Sequence, residues 1–133
     1  MENKQSHLEM IQGVINRLST NSFLLKGWSV VLVSALFALS APDSRVAFVL
    51  LAYLPAIVFW GLDGFFLRQE KLYRKLYNHV RMLKDNEIDF SMDTSPFEEN
   101  GDPSWASATF SKTLIPFHGA IIIAIVAVMF LSL

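Results

Sequence analysis

Apolar residues fall into three long runs, over 23–41, 46–67 and 114–133. Each is roughly 20 residues long, the length a helix rising about 1.5 Å per residue needs to cross a hydrocarbon layer of about 30 Å. The first run contains a single formal charge, Lys26, and the second a single one, Asp63; the third contains none. Ahead of the first run, Leu8, Ile11, Ile15 and Leu18 recur at helical spacing, with Gln5, Glu9, Gln12 and Asn16 opposite them. That pattern predicts an amphipathic helix over 1–21, with Ser19 to Ser22 as candidate caps before the first span. Its apolar stripe lies either on the inner leaflet or against another cytoplasmic helix. After the second run the helical pattern continues through Leu72, Leu76, Val80 and Leu83, widened by Tyr73 and Tyr77, so one long helix should leave the membrane over 68–84. Residues 85–103 are rich in turn formers and predict a loop. A short interfacial segment, 104–112, with Trp105 and Phe110, leads into the last run. The predicted fold is therefore all-α: one membrane domain with spans over 22–41, 46–67 and 113–133, an N-terminal amphipathic helix and a cytoplasmic extension of the second span.

Inside the spans, small and helix-breaking residues add detail. Gly27, Ser34, Ala38 and Ala41 share one stripe of the first span, where small side chains let helices approach closely. That stripe faces either the second span of the same chain or another subunit. Pro55 lies near the middle of the second span, with Gly61 and Gly64 toward its inner end; the proline predicts a kink, static or hinged. Ala41-Pro42-Asp43-Ser44 reads as a tight turn between the first two spans. Counting outward from that turn puts Trp28 and Trp60 at nearly one depth, and Lys26 and Asp63 within about 5 Å of each other in depth.

Composition agrees: 53% of the 133 residues are hydrophobic. Net charge is only −1, so the distribution of charge matters more than its sum. Residues 68–84 hold Arg68, Lys71, Arg74, Lys75, Arg81 and Lys84 against one acid, Glu70; residues 85–102 hold seven acids and no base. Lys4, Arg17 and Lys26 also precede or begin the first span, whereas the first turn holds only Arg45. Basic residues favour the cytoplasmic side, which predicts a cytoplasmic N-terminus and central arm and a periplasmic or extracellular C-terminus. The first run is not expected to be a cleaved signal, because a structured stretch precedes it and Pro42 follows Ala41. Absence of cysteine excludes disulfides, thiolate catalysis and thiolate metal ligands.

Lys26 and Asp63 are the first candidates for chemistry. A charge deep in a bilayer costs about 3 kcal/mol on insertion scales, so they should pair between helices, meet another subunit, or line an ion path. The basic helix is the second: it suits anionic lipid, at about 1 kcal/mol per basic residue near the surface, or a partner protein. The adjacent acidic loop lacks the glycine and closing glutamate of an EF-hand and reads as a solvated linker or as a partner for the basic helix. Arg74 and His79 have the R-x4-H spacing of the HEPN ribonucleases, but Lys75 replaces the usual small polar residue after the arginine. His7 and His118 have no ligand partner nearby in sequence, and a histidine in a span most often bonds a neighbouring helix. No nucleophile–base set, phosphate loop, cofactor motif or metal cluster is present, and no nucleic-acid-binding module. An enzyme is not expected.

The block Phe59-Trp60-Gly61-Leu62-Asp63-Gly64-Phe65-Phe66-Leu67-Arg68-Gln69-Glu70-Lys71-Leu72-Tyr73-Arg74-Lys75-Leu76-Tyr77, with Ile88-Asp89-Phe90-Ser91-Met92 after it, resembles a family of small bacterial membrane proteins from defence neighbourhoods, often beside TIR-domain proteins. The arrangement of leading helix, two-span hairpin and basic cytoplasmic helix is also similar to SLATT-type effectors, from which the third span departs. The resemblance implies an inner-membrane antiphage effector that forms a homo-oligomer and permeabilises the membrane when a cytoplasmic partner, such as a TIR-domain protein, or a signal acts on it. It also allows an anchor that recruits a soluble defence protein without forming a pore. It brings no catalytic residues.

Overall fold

The computed structural model describes residues 2–40 and 46–132 of the chain. The turn expected at 42–45, and Ala41 of the small-residue stripe, lie outside the described residues. Five helices account for most of the rest: α1 (Glu2–Ser40), α2 (Val46–Leu51), α3 (Tyr53–Val80), α4 (Trp105–Thr109) and α5 (Ile115–Ser132). No strand occurs among the described residues, only an isolated bridge between Glu99 and Asp102.

The expected amphipathic helix and first span form one helix of 39 residues. Ser19 to Ser22 do not cap anything, because the buried face of α1 runs through them without a break. His7, Ile11, Ile15, Ser29, Val33 and Ser40 are buried along it, with Leu18, Ser22 and Lys26 half-buried between them. Those positions recur every three or four residues, so one helix presents one continuous stripe to its neighbours.

That stripe faces α2 and α3, which run antiparallel to α1. Toward the more apolar end, Val33, Val49, Ala52, Ala56 and Ile125 form a core flanked by Leu36, Phe37, Tyr53 and Ile121. At the other end, Ile11, Ile15, Leu76 and Val80 form a second core. The N-terminal stripe therefore packs on the extension of α3, which resolves the choice left open by the sequence. The effect of Pro55 is local: proline has no N–H to offer the carbonyl of Leu51, and the helix is interrupted at Ala52 between α2 and α3. The basic helix ends at Val80, short of the expected 84, and Arg81 to Lys84 turn into the loop.

The acidic segment is more ordered than a linker. Short 3₁₀ turns form at Asp85–Glu87 and Ser95–Phe97. Ile88, Met92 and Phe97 dip onto the second core, so three apolar residues anchor an otherwise polar loop. Gly101 closes the Glu99–Asp102 turn with φ +80°, a conformation that favours glycine. Ser104 then caps α4 by accepting the Ser107 N–H at 3.0 Å. α4 packs on α3, and α5 packs on α2 and α3 with His118 and Ile125 on its buried face, Leu114 being buried just ahead of it.

Two helices, α1 and the α2–α3 unit, are long and apolar enough to cross a membrane by length and composition; α5 is apolar but shorter.

Candidate functional site

Asp63 is the meeting point of three helices. It is fully buried on α3, and the antiparallel register brings Lys26 and Ser22 of α1 against it. Lys26 Nζ lies 2.6 Å from Asp63 Oδ2 and also donates to Ser22 Oγ at 2.8 Å. The Ser22 hydroxyl donates to the other carboxylate oxygen, Oδ1. From α5, His118 Nε2 approaches Oδ2 at 2.7 Å. The expected pairing of Lys26 with Asp63 is thus present within one chain. The lysine side chain keeps some contact with the surface, with 22% of it exposed against none of Asp63.

Aromatic and small residues hold the third helix in place. The Trp60 ring stacks on His118, with centroids 5.8 Å apart and planes within 6°. Its indole N–H donates to the Thr109 carbonyl at 2.7 Å, and the Trp105 indole donates to the Gly61 carbonyl at 2.9 Å. Gly64 lets α4 lie directly against α3. Among the described residues, His118 Nδ1 and Thr109 Oγ1 are buried without a hydrogen-bond partner. Sequence reasoning left His118 without a named partner. The signal available was its place in the inner part of the last apolar run, with Pro116 and Gly119 beside it.

A small cavity adjoins this node on the side of the polar arm. It holds about 170 Å³ and is lined in part by Leu18, Ser19, Ser22, Phe66, Glu70 and Thr113. At its outer rim the Ser19 hydroxyl donates to Glu70 Oε1, and Arg74 Nη2 stands 3.6 Å from the same oxygen.

The predicted packing face lies elsewhere. Gly27, Ser34 and Ala38 are exposed, and a Cβ on Gly27 would meet nothing within 4 Å. Packing of that stripe on the chain's own second span is therefore overturned. The reason is geometric: Ser22, Lys26, Ser29 and Val33 occupy the face turned to α3, and the small residues sit on another side of the helix.

The basic surface divides. Arg68 is engaged by the acidic segment, through Glu98 Oε1 at 2.6 Å and the Pro103 carbonyl at 2.9 Å. Lys75 reaches the Phe97 carbonyl at 3.4 Å. Arg74, Arg81 and Lys84 are exposed and Lys71 is half-buried. The R-x4-H pair does not converge on a shared site: Arg74 turns to Glu70, while His79 rests against the Phe97 ring, 5.4 Å between centroids. His7, buried at the end of the arm, donates from Nε2 to the Ser91 carbonyl at 2.8 Å. In the acidic segment, the backbone N–H and then the side chain of Ser95 hold the Asp93 carboxyl below the usual carboxylate range. Compared with known proteins, the chain matches no family model, no curated protein and no solved structure.

Proposed function

We propose that the chain is an integral protein of the bacterial inner membrane that threads it three times, with α5 as the third span. The arm formed by the two ends of α1 and α3 stands in the cytoplasm, and the C-terminus lies outside. Supporting this, only 11% of the most apolar window of α1 and 22% of that of α2–α3 is buried, which is far from the packing of a soluble core helix. Phe23, Leu54 and Ile123 project 61–74% of their surface from the three apolar segments, an expanse that lipid can cover. At 18 residues α5 is about 27 Å long, within the range of short spans.

Within that frame the chain is a membrane effector of antiphage defence. Copies associate, and a cytoplasmic partner or signal rearranges them so that the inner membrane leaks. The observation that carries this reading is the exposed stripe of Gly27, Ser34 and Ala38, which borders an open cleft toward α5 at Ser34 and is suited to close approach by a second helix. Three spans do not enclose a polar channel, so a conducting state requires several copies. Measuring membrane potential and dye entry in cells expressing the chain tests it: leakage should accompany growth arrest, and arrest with the potential intact would count against it.

A second reading is an anchor that recruits a soluble defence protein, such as a TIR-domain protein, and forms no pore. Arg74, Arg81 and Lys84 favour it, because their side chains stand exposed on the arm as a cationic docking surface. Co-purification of a soluble partner that is lost on reversing those three charges, without any leakage, would select this reading.

A further inference from the structure

The cavity beside Asp63 has a use that the effector and anchor readings do not require. Its rim is polar and reaches the surface of the arm: Ser19 is exposed, and Glu70 and Arg74 form an ion pair beside it. Its inner end is Ser22, whose hydroxyl bonds the buried carboxylate. With about 170 Å³ it has room for several waters, each needing about 10–15 Å³ of centre-accessible space; Leu18, Phe66, Leu67 and Leu114 make half of its lining apolar, and Ser19, Ser22, Glu70 and Thr113 are the polar partners along the other half. Beyond Ser22 the polar contacts continue through Asp63 to His118. Opposite the arm, the next buried residues of α1, α2 and α3 after Ser29 are Val33, Val49, Ala52 and Ala56, with Ser40 isolated further on, so among the described residues no continuous row of polar groups leads away in that direction.

We infer that this is a one-sided water inlet delivering protons from the arm side to the Asp63–His118 couple. A hydronium ion in the cavity gives up its proton and leaves as water, and the couple gains one positive charge. The two groups share a hydrogen bond, so a proton arriving at either one is held between them. The groups facing the couple are Lys26 and Ser22 from α1, Asp63 itself with Glu70 and Arg74 further out on α3, and His118 on α5. Lys26 is balanced by the carboxylate while the couple is unprotonated. An added proton leaves an uncompensated charge at the junction of three helices, which weakens the hold of Asp63 on Lys26. The ligand of the site is thus the proton, taken from the compartment that contains the arm.

The cysteine-free sequence makes the inlet testable on the full chain in lipid nanodiscs. Single variants Ser22→Cys and Ser29→Cys are exposed to silver ion, a cation small enough for a water-filled passage. Ser22→Cys should react at least an order of magnitude faster than Ser29→Cys, which is buried beyond the node. Equal, slow reaction at both overturns the inlet. Infrared difference spectra after a pH step read the couple in the chain with its native node. A carboxyl or imidazole band that is lost in Asp63→Asn or His118→Gln should appear quickly, and Ser19→Leu, which fills the mouth, should slow it at least tenfold. Absence of that band, or a rate indifferent to Ser19→Leu, overturns the proposal whatever the thiol result. A leak-free chain that still shows both responses would leave the inlet standing and remove the pore.

Discussion

Gly64 and Thr109 are in direct contact: a Cβ built on Gly64 would stand 2.0 Å from Thr109 Oγ1 and 3.1 Å from Thr109 Cα. No side-chain rotation relieves a clash that includes backbone. Gly64→Ala should therefore push α4 away from α3 and destabilise the chain by about 1–3 kcal/mol, as overpacking does in a filled core. Gly61→Ala is the control, since its Cβ would meet Trp105 at 3.5 Å, an ordinary contact. Thermal unfolding in detergent, followed by circular dichroism, should separate the two variants.

The buried ion pair predicts an asymmetry. Lys26→Met leaves Asp63 fully buried without its cation, a loss of about 3 kcal/mol or more for a broken buried pair. Asp63→Leu leaves a lysine with part of its side chain already at the surface, and its flexible stem can turn the ammonium outward. The lysine variant should be the less stable of the two. The double variant should recover part of the loss, which a double-mutant cycle measures.

Arg68 ties the acidic segment to the arm through Glu98 and the Pro103 carbonyl. The Arg68 and Glu98 side chains are both partly solvated, so the ion pair is worth about 1 kcal/mol, and Arg68→Ala should loosen the segment without unfolding the helices. Hydrogen exchange should rise over 95–103 and stay unchanged over 70–80. Lys71→Ala should leave both alone.

Gly27→Ala separates the monomer from its assemblies. Open space surrounds that position, so alanine should stabilise the helix by up to about 1 kcal/mol. A second copy packed on the stripe would be pushed away by the added methyl group. Cross-linking yield should fall while the melting temperature holds or rises; an unchanged yield would take this stripe out of the interface.

Asp93 predicts a local pH response. Its carboxyl sits below the ordinary value because Ser95 bonds the ionised form. The resulting stabilisation is complete above the unfolded value and fades as pH falls through the lowered folded one. A nuclear magnetic resonance titration of the Asp93 carboxyl should show that low midpoint. Ser95→Ala should bring it only part of the way back, because the backbone N–H remains.

Much of the fold was legible in the pattern of residues. Run lengths located the apolar helices, and counting outward from Asp43 in the expected turn brought Lys26 level with Asp63, which then meet. Other features were hidden because single-sequence patterns report faces, not partners. Ser19 to Ser22 looked like caps, since nothing local reveals that a buried stripe continues through them. Gly27, Ser34 and Ala38 suggested contact with the second span, but the stripe with Ser22, Ser29 and Val33 won that position. His118 joined the node from 55 residues away, a distance over which periodicity carries no information. Ile88, Met92 and Phe97 were diluted by the acids around them, so their anchoring of the loop was missed.

The unbroken course of α1 ties its two ends mechanically. Over 39 residues it is a rod of roughly 58 Å, stiff on the scale of the molecule, with His7 clasped near one end and Lys26 past its midpoint. A tug or twist applied to the N-terminal end of α1 would not dissipate in a joint, because the helix runs unbroken from Glu2 to Ser40. It would be felt as torque on the lysine that neutralises Asp63, so whatever grips the outer tip holds a lever whose fulcrum is that junction.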